Sequence, residues 1–270
     1  MEMQKRMLTS THVDRHGDCM SRDALLKMAA DINRSYVPVG VEHDPRHPPI
    51  GRIVAAEILA LPDGHWGLEG TLEFWTNDEV VKAGDANREI PMKKYALGQF
   101  DIGCDRHFWS ELYAEELSDL EVLLGAKRSL NVKKALDPIA VLQIGVGVAL
   151  GHIATGFLQQ VGVSAFEKVK QLLASVLKRD GADEKILQFQ LSVYDNTRAI
   201  CAEVIITNPS QQDIDLFLGR GLQQLDQLLL KVSGEQPELA KIVLKFADGK
   251  FKIEFGVRKD AVPMFPDMSH

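Results

Sequence analysis

Ile139-Ala-Val-Leu-Gln-Ile-Gly-Val-Gly-Val-Ala-Leu-Gly-His-Ile-Ala-Thr-Gly-Phe-Leu158 lies within a run, Pro138 to Phe166, that contains no Asp, Glu, Lys or Arg. Its length matches the ~20 residues an apolar helix needs to cross a bilayer. Gly147 and Gly151 form a G-x-x-x-G pair, which lets two such helices approach closely. Gln143, His152, Thr155, Gln159 and Gln160 fit equally well with a helix buried in a soluble fold or facing a second copy. The expectation is therefore a helix whose membrane-associating or assembly surface carries Ile139, Val141, Ile144, Gly147, Val148, Gly151 and Phe157. Each glycine costs such a helix ~1 kcal/mol, so packing has to hold it together.

On the C-terminal side, Ala165, Phe166, Val169, Leu172, Leu173, Val176 and Leu177 recur at helical spacing among charged residues. They predict an amphipathic helix that Asp180-Gly181 ends. Alternating Leu187, Phe189, Leu191 and Val193 read as a strand, and Ala199 to Ile206 as its partner. Ser210 and Asp213 then form a capping-box-like start to a helix carrying Ile214, Phe217, Leu218, Leu222, Leu225, Leu228 and Leu229. Ile242, Leu244 and Phe246, an Asp248-Gly249 turn, and Phe251, Ile253 and Phe255 complete a hairpin. Residues 181–262 thus read as a ββαββ module suited to folding, assembly or binding of a partner, with 263–270 as a tail.

On the N-terminal side, Asp105 to Lys134 reads as helical, with Glu115, Glu116, Asp119 and Glu121 on a solvated face. Tyr95 to Cys104 reads as a strand. Val54 to Leu61, a Pro62-Asp63-Gly64 turn and Trp66 to Phe74 predict a hairpin. Pro45, Pro48 and Pro49 make its entrance, from Val41 to Ile53, a rigid loop that carries His43 and His47. Lys5 to His12 reads as a first strand, and Ser21 as the cap of a helix to about Asn33.

Composition narrows the classes. The formal net charge of −7 excludes the basic field that non-specific nucleic-acid binding requires. Cys19, Cys104 and Cys201 give neither a disulfide framework nor a C-x-x-C metal pattern, which predicts a reducing, cytoplasmic setting. The first ten residues lack the apolar core of a secretion signal.

Several candidate sites follow. His12 and His16, and His43 and His47, are spaced by four, with His65 nearby; turns and prolines deny these pairs a helix, so no metal is assigned. Asp14, Asp18 and Asp44 read as turn residues satisfying backbone groups. Gly145-x-Gly147 lacks the strand and acidic partner of a dinucleotide fingerprint, and no cofactor is expected.

His43-Asp44-Pro45, then Pro49-Ile50-Gly51-Arg52-Ile53, then Gly67-Leu-Glu-Gly70 resemble the core of the phage prohead (capsid-maturation) proteases, serine peptidases of assemblin-like β-barrel fold. Val13-Asp14-Arg15-His16-Gly17-Asp18 resembles that family's early strand-turn motif. The resemblance covers roughly the first 105 residues. It implies a β-barrel-like domain and a catalytic base at His43. Where the family carries its nucleophile as Ser-Ile-Gly or Ser-Val-Gly, this chain has Asp101-Ile102-Gly103. A carboxylate cannot replace serine in acyl transfer, because its adduct would be an anhydride.

The expected fold is thus α+β. A prohead-protease-like domain spans 1–134, the apolar and then amphipathic helical segment spans 135–180, and the ββαββ module follows. Two functions stay open. One is a catalytically degenerate protease-like protein, phage-related or of bacterial defence, acting through a protein partner, a homo-oligomer or a membrane. The other is an active serine peptidase, self-cleaving or protein-processing, with His43 as general base.

Overall fold

In the computed structural model, the residues described are 2–12, 19–40, 46–75, 88–130, 139–178, 184–195 and 198–265. The chain is mixed α+β and divides into two compact units, Met1–Pro91 with Val257–Met264, and Met92–Gly256 with Phe265–His270.

The first unit holds β1 (Glu2–Ser10), α1 (Arg22–Arg34), β2 (Val37–Val39), β3 (Gly51–Ala60) and β4 (Trp66–Phe74). Its sheet runs β1-β4-β3-β2, antiparallel throughout. Helix α1 starts where the sequence predicts, with Ser21 Oγ accepting the Ala24 N–H at 3.1 Å. Leu25, Ala29 and Ile32 from α1 pack on Ala56 and Leu68 of the sheet, which gives the unit its core.

Away from that core, Arg52 is buried and pairs with Glu73, Nε to Oε2 at 2.5 Å. Its Nη1 donates to the Asp260 carbonyl at 2.7 Å, which ties the returning segment into this unit. The guanidinium lies over the rings of Tyr36 and Trp75, at 4.4 and 5.4 Å from their centres. Arg52 belongs to the Pro-Ile-Gly-Arg-Ile stretch, and in this fold its work is structural.

The second unit holds β5 (Phe100–Cys104), α2 (Ala114–Leu124), β6 (Arg128–Leu130), β7 (Ile139–Ala149), α3 (Ile153–Val161), α4 (Val163–Lys178), β8 (Glu184–Tyr194) and β9 (Ala199–Thr207). Then come α5 (Gln211–Leu216), α6 (Leu222–Glu235), β10 (Leu239–Ala247) and β11 (Lys250–Arg258), with a short β12 (Pro263–Met264) after them. The strand order from β11 is β11-β10-β9-β8-β7-β5-β6.

Strand β7 corrects the helix expected at residues 139–158. Ile139, Val141, Ile144, Gly147 and Val148 lie in a strand paired antiparallel with β5 and parallel with β8. Gly151 falls in the following turn at φ 84°, and Phe157 lies on α3. A central strand covered on both faces needs no alternation of polar residues, so it reads as one continuous apolar run. No helix among the described residues is long and apolar enough to cross a membrane. The helix expected over Asp105 to Lys134 is likewise shorter: α2 takes only Ala114–Leu124, and Arg128–Leu130 is strand.

The two faces of this sheet differ in kind. One carries Ile102, Ile144, Phe189, Val204 and Leu244 in register, all buried. Phe157 of α3 meets Phe100 and Phe166, and Phe217 after α5 meets Phe189 and Phe246, so helices cover that face. Burying one such side chain contributes about 1.5–3 kcal/mol. The other face is polar, with Gln143, Gln188, Gln190 and Glu203 on it.

Candidate functional site

His43 and Asp44, like Asp14 and Asp18, lie outside the described residues. Asp101 is described, on β5 of the second unit, while the hairpin that carries the family resemblance is in the first. Its carboxylate accepts from Lys93 Nζ at 2.6 Å. Cys104, on the opposite face of the same strand, is fully buried, and burial pushes its thiol up to about 11. The thiol is therefore protonated and unreactive at neutral pH, and the carboxylate is held in an ion pair.

The polar face of the large sheet centres on Glu203 of β9. Its Oε1 accepts from Lys241 Nζ at 2.8 Å and Gln190 Nε2 at 3.0 Å, and its Oε2 from Gln188 Nε2 at 3.1 Å. Gln190 Oε1 accepts from the Tyr95 hydroxyl at 2.6 Å and from Gln143 Nε2 at 2.7 Å. Burial works against the Lys241 ammonium, but the charge of Glu203, with Cys201 and the hydrogen bond to Glu203, leaves its pKa raised. Tyr95 is also pushed up, first by burial and then by the Asp101 charge. Cys201 is pushed up to about 12, chiefly by burial. The groups satisfy one another, as buried polar groups must.

Two glycines make room for this network. The Tyr95 ring occupies the place of a Cβ on Gly145, and the Ala96 carbonyl that of a Cβ on Gly147. Gly147 N–H donates to the Gln99 carbonyl at 3.3 Å, and Gly98 N–H to the Gly147 carbonyl at 3.0 Å. Gly147 therefore serves close approach of a crossing backbone.

The remaining cluster is on the rim of the first unit. Pairing of β1 with β4 sets Ser10 opposite Gly67, and Thr11 N–H extends the ladder to the Trp66 carbonyl at 2.8 Å. The turn joining β3 to β4 contains Asp63, with Gly64 at φ 83°. Residues 10–12 and 63–66 consequently share one corner. His12 Nε2 lies 2.6 Å from Asp63 Oδ2, and His12 Nδ1 lies 3.0 Å from Ser10 Oγ. Thr11 Oγ1 lies 3.1 Å from His65 Nδ1, and the two histidine rings are 4.1 Å apart. The hydrogen bond from His12, then the backbone bond from His65, hold the Asp63 carboxyl below its ordinary range. The strand and the Pro-Asp-Gly turn were legible in the sequence; the pairing of β1 with β4 that joins them was not.

Among the described residues no group of three or more His, Cys, Asp or Glu side chains could hold a metal ion. No protein-family model, curated protein or solved structure matches the chain.

Proposed function

We propose that this chain is a catalytically degenerate, prohead-protease-like protein that acts by binding a protein partner and assembling with copies of itself. In this reading residues 1–134 keep a barrel-like scaffold, and residues 181–262 act as the ββαββ partner-binding part. The setting, phage-related or bacterial defence, rests on the resemblance at His43-Asp44-Pro45 and Pro49-Ile50-Gly51-Arg52-Ile53. The observation that carries the reading is Asp101: where the family has its serine, this chain has a carboxylate neutralised by Lys93 at 2.6 Å. The acyl adduct of that carboxylate would be an anhydride, so the pair does not replace a serine in acyl transfer.

The test is the intact mass of wild type and His43→Ala followed over time, with and without an unfolded protein substrate, alongside light scattering. Unchanged masses, uncut substrate and a homo-oligomer are expected. A product cut by wild type and not by His43→Ala would overturn the proposal in favour of an active serine peptidase.

A further inference from the structure

We infer that Ser10, His12 and Asp63 form a nucleophile, base and orienting acid able to take an acyl group from a small activated ester. This goes beyond the binding role and is independent of the Asp101 position on which that role rests.

With a neutral His12 ring, the hydrogen-bond inventory assigns the protons. Asp63 is ionised and can only accept, so His12 Nε2 must carry the proton that spans the 2.6 Å to Oδ2. In the neutral ring Nδ1 is then the acceptor, and the 3.0 Å contact requires the Ser10 hydroxyl to donate to it. Ser10 Oγ in turn accepts the His12 backbone N–H at 3.3 Å, which directs its own proton toward the ring. This is the order of roles that activates a serine: nucleophile bonded to base, base bonded to a group that orients it.

Asp63 is fixed as well. Its second oxygen accepts the His65 backbone N–H at 3.1 Å, so the carboxylate is held by the turn and not by the histidine alone. The side chains of His12 and Asp63 are 44% and 54% exposed, so an ester reaches the array from solvent.

In the step itself, Ser10 Oγ bonds to the ester carbonyl carbon as its proton passes to His12 Nδ1. The carbon–oxygen bond to the leaving group breaks, and the leaving alkoxide or phenolate takes that proton. Water repeats the sequence, releasing a carboxylic acid and restoring Ser10. Because the array is open, water solvates the developing oxyanion, and the reaction is limited to esters with good leaving groups.

The test treats the full chain with a fluorophosphonate probe and with p-nitrophenyl acetate, reading the modified residue by peptide mass. A single adduct on Ser10 is expected, absent in Ser10→Ala and formed on the order of 100-fold more slowly in His12→Ala, the usual scale of general-base assistance. Asp63→Asn should slow it less, and dependence on Ser10 and His12 is what separates this site from any other serine of the chain. Thermal melts confirm that each variant is folded. No adduct at Ser10, an equal rate in His12→Ala, or an adduct only on another residue would overturn the inference.

Discussion

The corner at Ser10, His12 and Asp63 and the network around Glu203 are both built from hydrogen-bonded polar side chains, yet they occupy opposite regimes. At the corner the side chains face water, which competes for their hydrogen bonds, so the contacts there add little to stability. Glu203 is 4% exposed, and its carboxylate is surrounded by two glutamines and a lysine that would lose their acceptor without it. Burial turns polarity into a structural commitment; exposure leaves it available for chemistry.

The sharpest way to break this contrast is Glu203→Ala, which strands Lys241, Gln188 and Gln190. A loss of about 3–5 kcal/mol in urea unfolding is expected, the scale for removing one partner of a buried pair. Glu203→Gln keeps the shape and should cost less. Lys241 also has a pH signature. Its folded pKa is raised, so its contribution is complete below the unfolded value of 10.5 and is lost as pH climbs through the folded value.

Next in size is Gly147→Ala, which drives a methyl into the Ala96 carbonyl and displaces the segment that carries Tyr95. Overpacking of this kind costs about 1–3 kcal/mol. Gly151→Ala meets nothing within 4 Å and pays only for φ 84°, about 1 kcal/mol. Paired denaturation curves separate the two. Equal effects would restore the symmetric G-x-x-x-G reading of this stretch.

A third prediction concerns His107, whose pKa is lowered by burial and then by the Lys185 charge. The neutral ring is the form that fits, so stability is complete above the unfolded value of 6.5 and is lost as pH falls toward the folded value. Melting temperature should fall more steeply below pH 6.5 in wild type than in His107→Gln. The smallest effects belong to the exposed corner. Ser10→Ala, His12→Ala and Asp63→Asn should each leave the melting temperature nearly unchanged. A larger loss would make that corner structural as well.

Local chemistry was legible wherever it acts over a few residues. Ser21 caps α1, and Ser210 with Asp213 forms the predicted capping box, Asp213 N–H to Ser210 Oγ at 3.1 Å and Ser210 N–H to Asp213 Oδ2 at 2.9 Å. The amphipathic spacing from Ala165 to Leu177 is helix α4, and the Pro62-Asp63-Gly64 turn joins β3 to β4. Candidate chemistry was harder to read. His12 and Asp63 are 51 positions apart, and nothing in either neighbourhood names the other.

What the sequence determined by itself is therefore the α+β class, the caps and turns, and the faces of amphipathic elements, because these depend on the chain's own short-range geometry. Only the tertiary structure decided that residues 139–149 are a strand. An unbroken apolar run has no periodicity to separate buried strand from buried helix. The choice came from long-range partners: β8, beginning at Glu184, pairs along the whole length of β7, and Tyr95 and Ala96 fill the space its glycines leave open.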